Sequence, residues 1–308
     1  MVEASKQIAQ ETSLTRIGDF IREVYDEWAE DGVLAHGAAL AFYTFFSLAP
    51  LLVLAIAVAG FAFGRSAAQG EIVAQIQDAV GPEAAHAVQN MLTQASRPAS
   101  GITATVVSLL TMFFGASGVF GQLQSSLNTI WGVKPKKHGA VRSALQRRAT
   151  SFAMVLAIGL LLLLSLVVSA IVAALREKLQ EHAPLLASLL PSMNLLVSFL
   201  TMTALFALIY KVLPAIRLAW RDVWIGSGVT AVLFLLGQSV ITLYLAHATT
   251  RSIYGAAGSL ILLLLWIYYS AQVVLIGAEF TEVYSRHFGS RRAEGRRKDR
   301  FQAAAVAG

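Results

Sequence analysis

Six stretches of this chain carry no Asp, Glu, Lys or Arg, and each outruns the thickness of a lipid bilayer. They lie between Asp31 and Arg65, Arg97 and Lys134, Arg148 and Arg176, Glu181 and Lys211, Asp222 and Arg251, and Arg251 and Glu279. A helix rising about 1.5 Å per residue needs roughly 20 residues to cross about 30 Å of hydrocarbon. Each run meets that length, which predicts six transmembrane helices. Closed barrels are the other structures that satisfy their backbone inside lipid, but the runs lack the alternation of short barrel strands. Composition agrees: 14% of the 308 residues are charged, against about 25% in soluble proteins, and the mean hydropathy is +0.63.

The expected fold is therefore an all-α integral membrane protein, with approximate spans 36–63, 101–130, 149–175, 192–213, 223–247 and 256–284. Residues 1–32 are expected as a cytoplasmic amphipathic arm, 33–288 as the membrane domain, and 289–308 as a basic, disordered cytoplasmic tail. The first span follows a leader with eight acids, which does not fit a cleavable signal peptide with a basic start. The six histidines are scattered, with no two at metal-ligand spacing, and cysteine is absent. No metal or other cofactor is expected.

Basic residues set the orientation. Nineteen fall in the arm, the second loop (Lys134 to Arg148), the fourth loop (Lys211, Arg217, Arg221) and the tail. Five fall in the other three loops: Arg65, Arg97, Arg176, Lys178 and Arg251. Lys and Arg resist translocation, so the richer set is cytoplasmic and both termini are inside. In SLTRIGDFIREVYDEWAEDG, Ile17, Phe20, Ile21, Val24 and Trp28 keep helical spacing opposite an acidic face. Surface helices that lie on lipid favour Lys and Arg on that face, so this arm is expected to dock on the protein instead. Glu71 to Ser96, broken at Gly81-Pro82, is expected as a helical hairpin on the outer face. Trp131, Trp220 and Trp224 fit a cytoplasmic interface belt.

Helical phase sorts the polar residues inside the membrane. On the sixth span Tyr268, Gln272, Glu279 and Glu282 share a face, as do His36, Tyr43, Ser47 and Pro50 on the first. Ser117, Gly121, Gln124 and Asn128 line up on the second, and Ser227, Ala231, Gln238 and Thr242 on the fifth. With the termini inside, these stripes fall in the cytoplasmic half, which predicts a polar cavity open to the cytoplasm. Its candidate lining is Tyr43, Ser47, Pro50, Gln124, Asn128, Gln238, Tyr268, Gln272, Glu279 and Glu282. Pro50 removes a backbone donor mid-helix and is expected to kink it. Arg217 and Arg221 are candidates for an anionic headgroup or an ion pair, with Arg221 placed by depth against Glu279 or Glu282. Serine, glycine and threonine in membrane helices also serve packing alone, and Glu279 and Glu282 could simply anchor a helix end.

The stretches ALAFYTFFSLAP (Ala39 to Pro50) and YGAAGSLILLLLWIYYSAQVVLIGAEFTEVY (Tyr254 to Tyr284) resemble the BrkB/YihY family of bacterial inner-membrane proteins, over roughly residues 15 to 288. The resemblance implies six membrane helices with cytoplasmic termini. It also implies an envelope role, since members are linked to serum resistance, to lipid or lipopolysaccharide traffic and to solute transport. A ribonuclease label attached to that family finds no support in the residues. RNA hydrolysis needs clustered metal-binding groups or a general acid and base pair, and no soluble domain is large enough to hold RNA. The expected function is a non-enzymatic transporter or flippase-like carrier in the bacterial inner membrane. A membrane scaffold or assembly factor in envelope maintenance is the alternative. Membrane lipids with anionic headgroups, and self-association, are the expected partners; nucleic acid is not.

Overall fold

Glycines end helices here in a conformation that other residues reach only at a cost. The structure is a computed structural model that describes residues 18–80, 82–95, 118–133, 190–247 and 256–292, with scattered positions between 154 and 172. Helix α1 (Gly18–Glu30) ends at Asp31 and Gly32, and Gly32 adopts φ 63°, a left-handed conformation that only glycine reaches cheaply. The chain bends there by 60° into α2 (Val33–Phe63). Gly132 does the same after α5 (118–130), at φ 60°. There Gly132 N–H donates to Thr129 O and Val133 N–H to Asn128 O, a paired closure of the last turn.

The remaining helices are α3 (Arg65–Val80), α4 (Pro82–Ala95), α6 (Leu190–Val212), α7 (Trp220–His247) and α8 (Ala256–His287). All regular structure among the described residues is α-helical. Among the described residues, three stretches are long and apolar enough to cross a membrane: Leu195–Val212, Trp220–Val240 and Leu260–His287. The bent pair α1 and α2 makes a fourth if it counts as one broken span. The spans expected at 101–130 and 149–175 fall largely outside the described residues, as do most of the arm before Gly18 and the tail after Arg292. The hairpin expected from Glu71 is present as α3 and α4, and it starts earlier, at Arg65.

Helix α8 is the centre of the assembly, packed against α2, α7 and α4. One apolar cluster joins α2, α5, α6, α7 and α8 around Leu127, Tyr210, Val223 and Leu275. A second seats α4 on α2 and α8 through Val88, Leu92, Ile56, Leu263 and Ile267. Trp131 belongs to the first cluster and is 3% exposed, so it is a core residue and not the interface anchor its position near a span end implied. Trp220 and Trp224 remain exposed.

At 32 residues α8 is about 48 Å long, well beyond the roughly 30 Å of hydrocarbon. Its C-terminal end is held by hydrogen bonds and does not fray. Phe288 and Gly289 N–H both donate to Tyr284 O, and Arg291 N–H to Ser285 O. Buried Asp222, in the first turn of α7, accepts from Ser290 N–H at 2.9 Å and from its hydroxyl at 2.6 Å. Residues 288–291 are thus tied back to the bundle. Asp222→Ala is expected to cost about 1–3 kcal/mol, the range for hydrogen bonds to a charged acceptor. Thermal unfolding in detergent reads it, with Asp222→Asn in between.

Candidate functional site

Glu279, Glu282 and Arg286 recur along α8 at helical spacing, so they share one face. That face is turned inward: they are 1%, 7% and 6% exposed. Arg286 is the hub. Its Nε donates to Glu282 at 2.7 Å and its Nη2 to Glu27 at 2.9 Å, while its Nη1 lies 3.3 Å from Glu23. Glu23 also meets His287 Nε2 at 2.6 Å, and Arg291 approaches the second oxygen of Glu282 at 3.6 Å. Two turns of α1 are thereby held to the end of α8. The rings of Phe20 and Phe280, 5.4 Å apart and edge-on, close the same contact.

The arm docks on protein, as its acidic face led us to expect, but with a different apolar edge. Phe20, Val24 and Trp28 are half-buried, whereas Ile21 is exposed and Ile17 lies outside the described residues. Between α1 and α8 a cleft of about 340 Å³ is lined by Asp19, Arg22, Glu23, Asp26, Glu27, Glu30 and Arg286.

Glu279 is the most deeply buried of the three. No amide, hydroxyl or cationic donor among the described residues reaches either of its oxygens. Among the described residues, the charged groups around it are the carboxylates of Asp31, Glu282 and Glu27.

The cation for Glu282 is Arg286, not Arg221. Arg217, on the turn between α6 and α7, and Arg221, in the first turn of α7, are both exposed. Depth alone pointed to Arg221, but helical phase favours a residue four positions along the same helix, and Arg286 is that residue.

The other candidates separate by what they touch. Gln272 is 9% exposed; its Nε2 points to Leu34 O at 3.4 Å, and it is packed against Gly37. His36 and Ser126 meet at 3.2 Å. Ser47 is buried, and with Tyr43 it faces Gly118, so this part of α2 lies on α5. Gln124 donates to Leu213 O, and Asn128 accepts from Ala215 N–H. Those two amides pin α5 to the turn after α6. Tyr268 is half-buried in the second apolar cluster, Gln238 is half-buried on α7, and Pro50 lies within α2 with its side chain outside the described residues.

Sequence reasoning missed Arg286, Glu23, Glu27 and Asp31 as one group. It also missed a second set, the glycines that bring α7 and α8 together. A Cβ on Gly226 would lie 1.9 Å from Thr281 Oγ1, and one on Gly277 2.0 Å from Thr230 Oγ1. The spacing Gly-x-x-x-Thr occurs in both helices (226–230 and 277–281) and was the available signal. Small residues at this spacing let helix backbones approach closely in membranes.

The family model described as virulence factor BrkB matches residues 24–302. A membrane protein of Alkalilimnicola ehrlichii, named only as UPF0761, is 27% identical over 93% of this chain and 63% of its own length. A protein of the same name from Saccharophagus degradans is 29% identical over 86% of this chain and 59% of its own. A third, from Pseudoalteromonas atlantica, is 25% identical over 89% of both. The chain thus spans about three-fifths of the first two relatives. No solved structure matches.

Proposed function

The chain belongs to the virulence factor BrkB family, whose relatives are named as membrane proteins, and on that premise we propose that it is a non-enzymatic carrier in the bacterial inner membrane. Its cargo is a lipid, an amphipathic anion or a small solute, taken from the cytoplasmic side. One observation carries this reading. An otherwise apolar helix buries Glu279, Glu282 and Arg286 at one end of the bundle. Ionisable groups cost several kcal/mol in such surroundings unless they are paired, and buried charge inside membrane bundles marks substrate and ion pathways.

The basic-residue distribution supports placing this end in the cytoplasm. Polar groups of α2, α5 and α8 (Ser47, Ser126, Gln272) are buried in the interior. Arg217 and Arg221, exposed beside Trp220 and Trp224, suit anionic headgroups at the same membrane face. A scaffold is the second reading, favoured by the acidic cleft that α1 presents outward.

Purified protein in liposomes tests the choice, with a fluorescent anionic lipid, a zwitterionic lipid and small solutes as cargo. The carrier reading expects flux about tenfold or more above empty vesicles, a difference of roughly 1.4 kcal/mol in barrier. Arg217→Gln with Arg221→Gln should then slow the anionic cargo alone. No flux of any cargo, with deletion of residues 1–30 still abolishing the cellular role, would leave the scaffold.

A further inference from the structure

We infer that one edge of α1, formed by Ile21 and Tyr25, is seated in the boundary between lipid headgroups and acyl chains beside the end of α8, so that lipid and protein hold the arm together. The sides of α1 differ in character. Phe20, Glu23 and Glu27 meet α8. Asp19, Asp26 and Glu30 are exposed. Ile21 and Tyr25 are exposed too, at 61% and 63%, although both are large and apolar. At about 100° per residue, Trp28, Ile21 and Tyr25 fall within about 60° of arc, centred about 150° from the row Asp19, Asp26 and Glu30. The apolar edge and the acidic row thus lie on nearly opposite sides, with the α8 contact between them.

What covers the edge follows from its surroundings along the helix. At Trp28 it packs against the first apolar cluster of the bundle. Tyr25 stacks on Trp28, with ring centroids 5.6 Å apart and planes inclined by 30°. The edge then continues off the bundle to Ile21, one turn further out. The side of α1 that rests on the apolar interior is therefore the side that faces lipid where the interior ends.

The level of α1 is set by α8. The charge-free run of α8 ends at Glu279, and Phe280, Arg286 and His287, which hold α1, come directly after it. A span gives way to headgroups where its apolar run stops. The 60° bend between α1 and α2 carries α1 across that end and not onward along the line of α2. Tyrosine and tryptophan favour this zone because each joins an apolar ring to a polar tip. Helices that charge holds on lipid carry Lys and Arg. In α1 the position is held by Arg286, and the acids point to water. This contact does not need the carrier reading.

The chain has no cysteine, so single spin labels report on chosen positions. Ile21→Cys, Tyr25→Cys, Arg22→Cys and Asp26→Cys are labelled in the full-length protein, in phosphatidylcholine vesicles and in vesicles containing phosphatidylglycerol. Oxygen concentrates in the apolar phase and a nickel chelate stays in water. The expected ratio of oxygen to nickel accessibility is several-fold higher at 21 and 25 than at 22 and 26, in both kinds of vesicle. Equal ratios at all four positions would place the edge in water and overturn the inference. Protection of 21 and 25 from both reagents would mean that protein covers the edge, which also overturns it. So would a difference seen with phosphatidylglycerol alone, since the contact would then depend on charge.

Discussion

Gly277→Ala, a change of one methyl group, is expected to destabilise the bundle by about 1–3 kcal/mol, the range for overpacking a filled core. The added Cβ would lie 2.0 Å from Thr230 Oγ1, 2.8 Å from Thr230 Cβ and 2.6 Å from Tyr210 Oη. None of these can swing aside cheaply. Thr230 is β-branched and stiff at its first torsion, with its hydroxyl bonded to Gly226 O at 2.8 Å. The Tyr210 hydroxyl is held by Val274 O at 2.7 Å. Gly226→Ala meets the mirror situation, 1.9 Å from Thr281 Oγ1, whose hydroxyl is bonded to Gly277 O. The helices must separate or the threonines must break their bonds.

A double-mutant cycle makes the contact specific. Thr230→Ala should recover part of the loss in Gly277→Ala, and Thr281→Ala part of that in Gly226→Ala, since each removes the nearest atom but leaves the threonine Cβ position filled. The crossed combinations should recover nothing. Gly228→Ala is the control: a Cβ there meets no atom within 4 Å, so its melting temperature in detergent should match the parent chain. A Gly228→Ala loss equal to that of Gly277→Ala would mean the effect is one of helix backbone and not of packing.

Those glycines show where reading the sequence reached its limit. Charge-free runs locate helices because the cost of burying charge in lipid acts on each helix alone. Three of the six expected spans correspond to α6, α7 and α8, and a fourth to α2 only as a bent pair with α1. Phase then finds a face, and on α8 it selected Tyr268, Gln272, Glu279 and Glu282, of which the last three are buried and Tyr268 is half-buried. Phase does not say what that face meets. On α7 it selected Ser227, Ala231 and Gln238, yet the positions that touch α8 are Gly226, Thr230 and Gly237, one residue earlier in each case. Both rows are covered because α7 lies between α6 and α8, and periodicity cannot choose between two covered faces. Pairing was harder still. Glu282 could be matched to Arg221 by depth or to Arg286 by helical spacing, and the arm's acids had no visible reason to return across more than 250 residues to the same arginine.

That arginine sets the second large effect. Arg286→Gln is expected to cost about 3–5 kcal/mol, the range for removing one partner of a buried ion pair. Three carboxylates would lose this cation at once, and Glu282, at 7% exposure, would be left with Arg291 at 3.6 Å and little water for compensation. Glu23 and Glu27 are more open, so they can recover solvation if α1 lifts from the bundle. The loss should therefore divide between lower melting temperature and release of the arm. Release has its own readout, because Arg22 on α1 is an exposed tryptic site. Cleavage there should accelerate by up to about a hundredfold if some 3 kcal/mol of the cost falls on docking, each 1.4 kcal/mol being roughly tenfold. Arg286→Lys keeps the charge but cannot make three directed contacts from one planar group, and should fall between. Combining Arg286→Gln with Glu282→Gln removes the most deeply buried orphaned charge, so it should regain melting temperature while the arm stays open. Recovery of both together would show that α1 is held by packing of Phe20 on Phe280 and not by the charges.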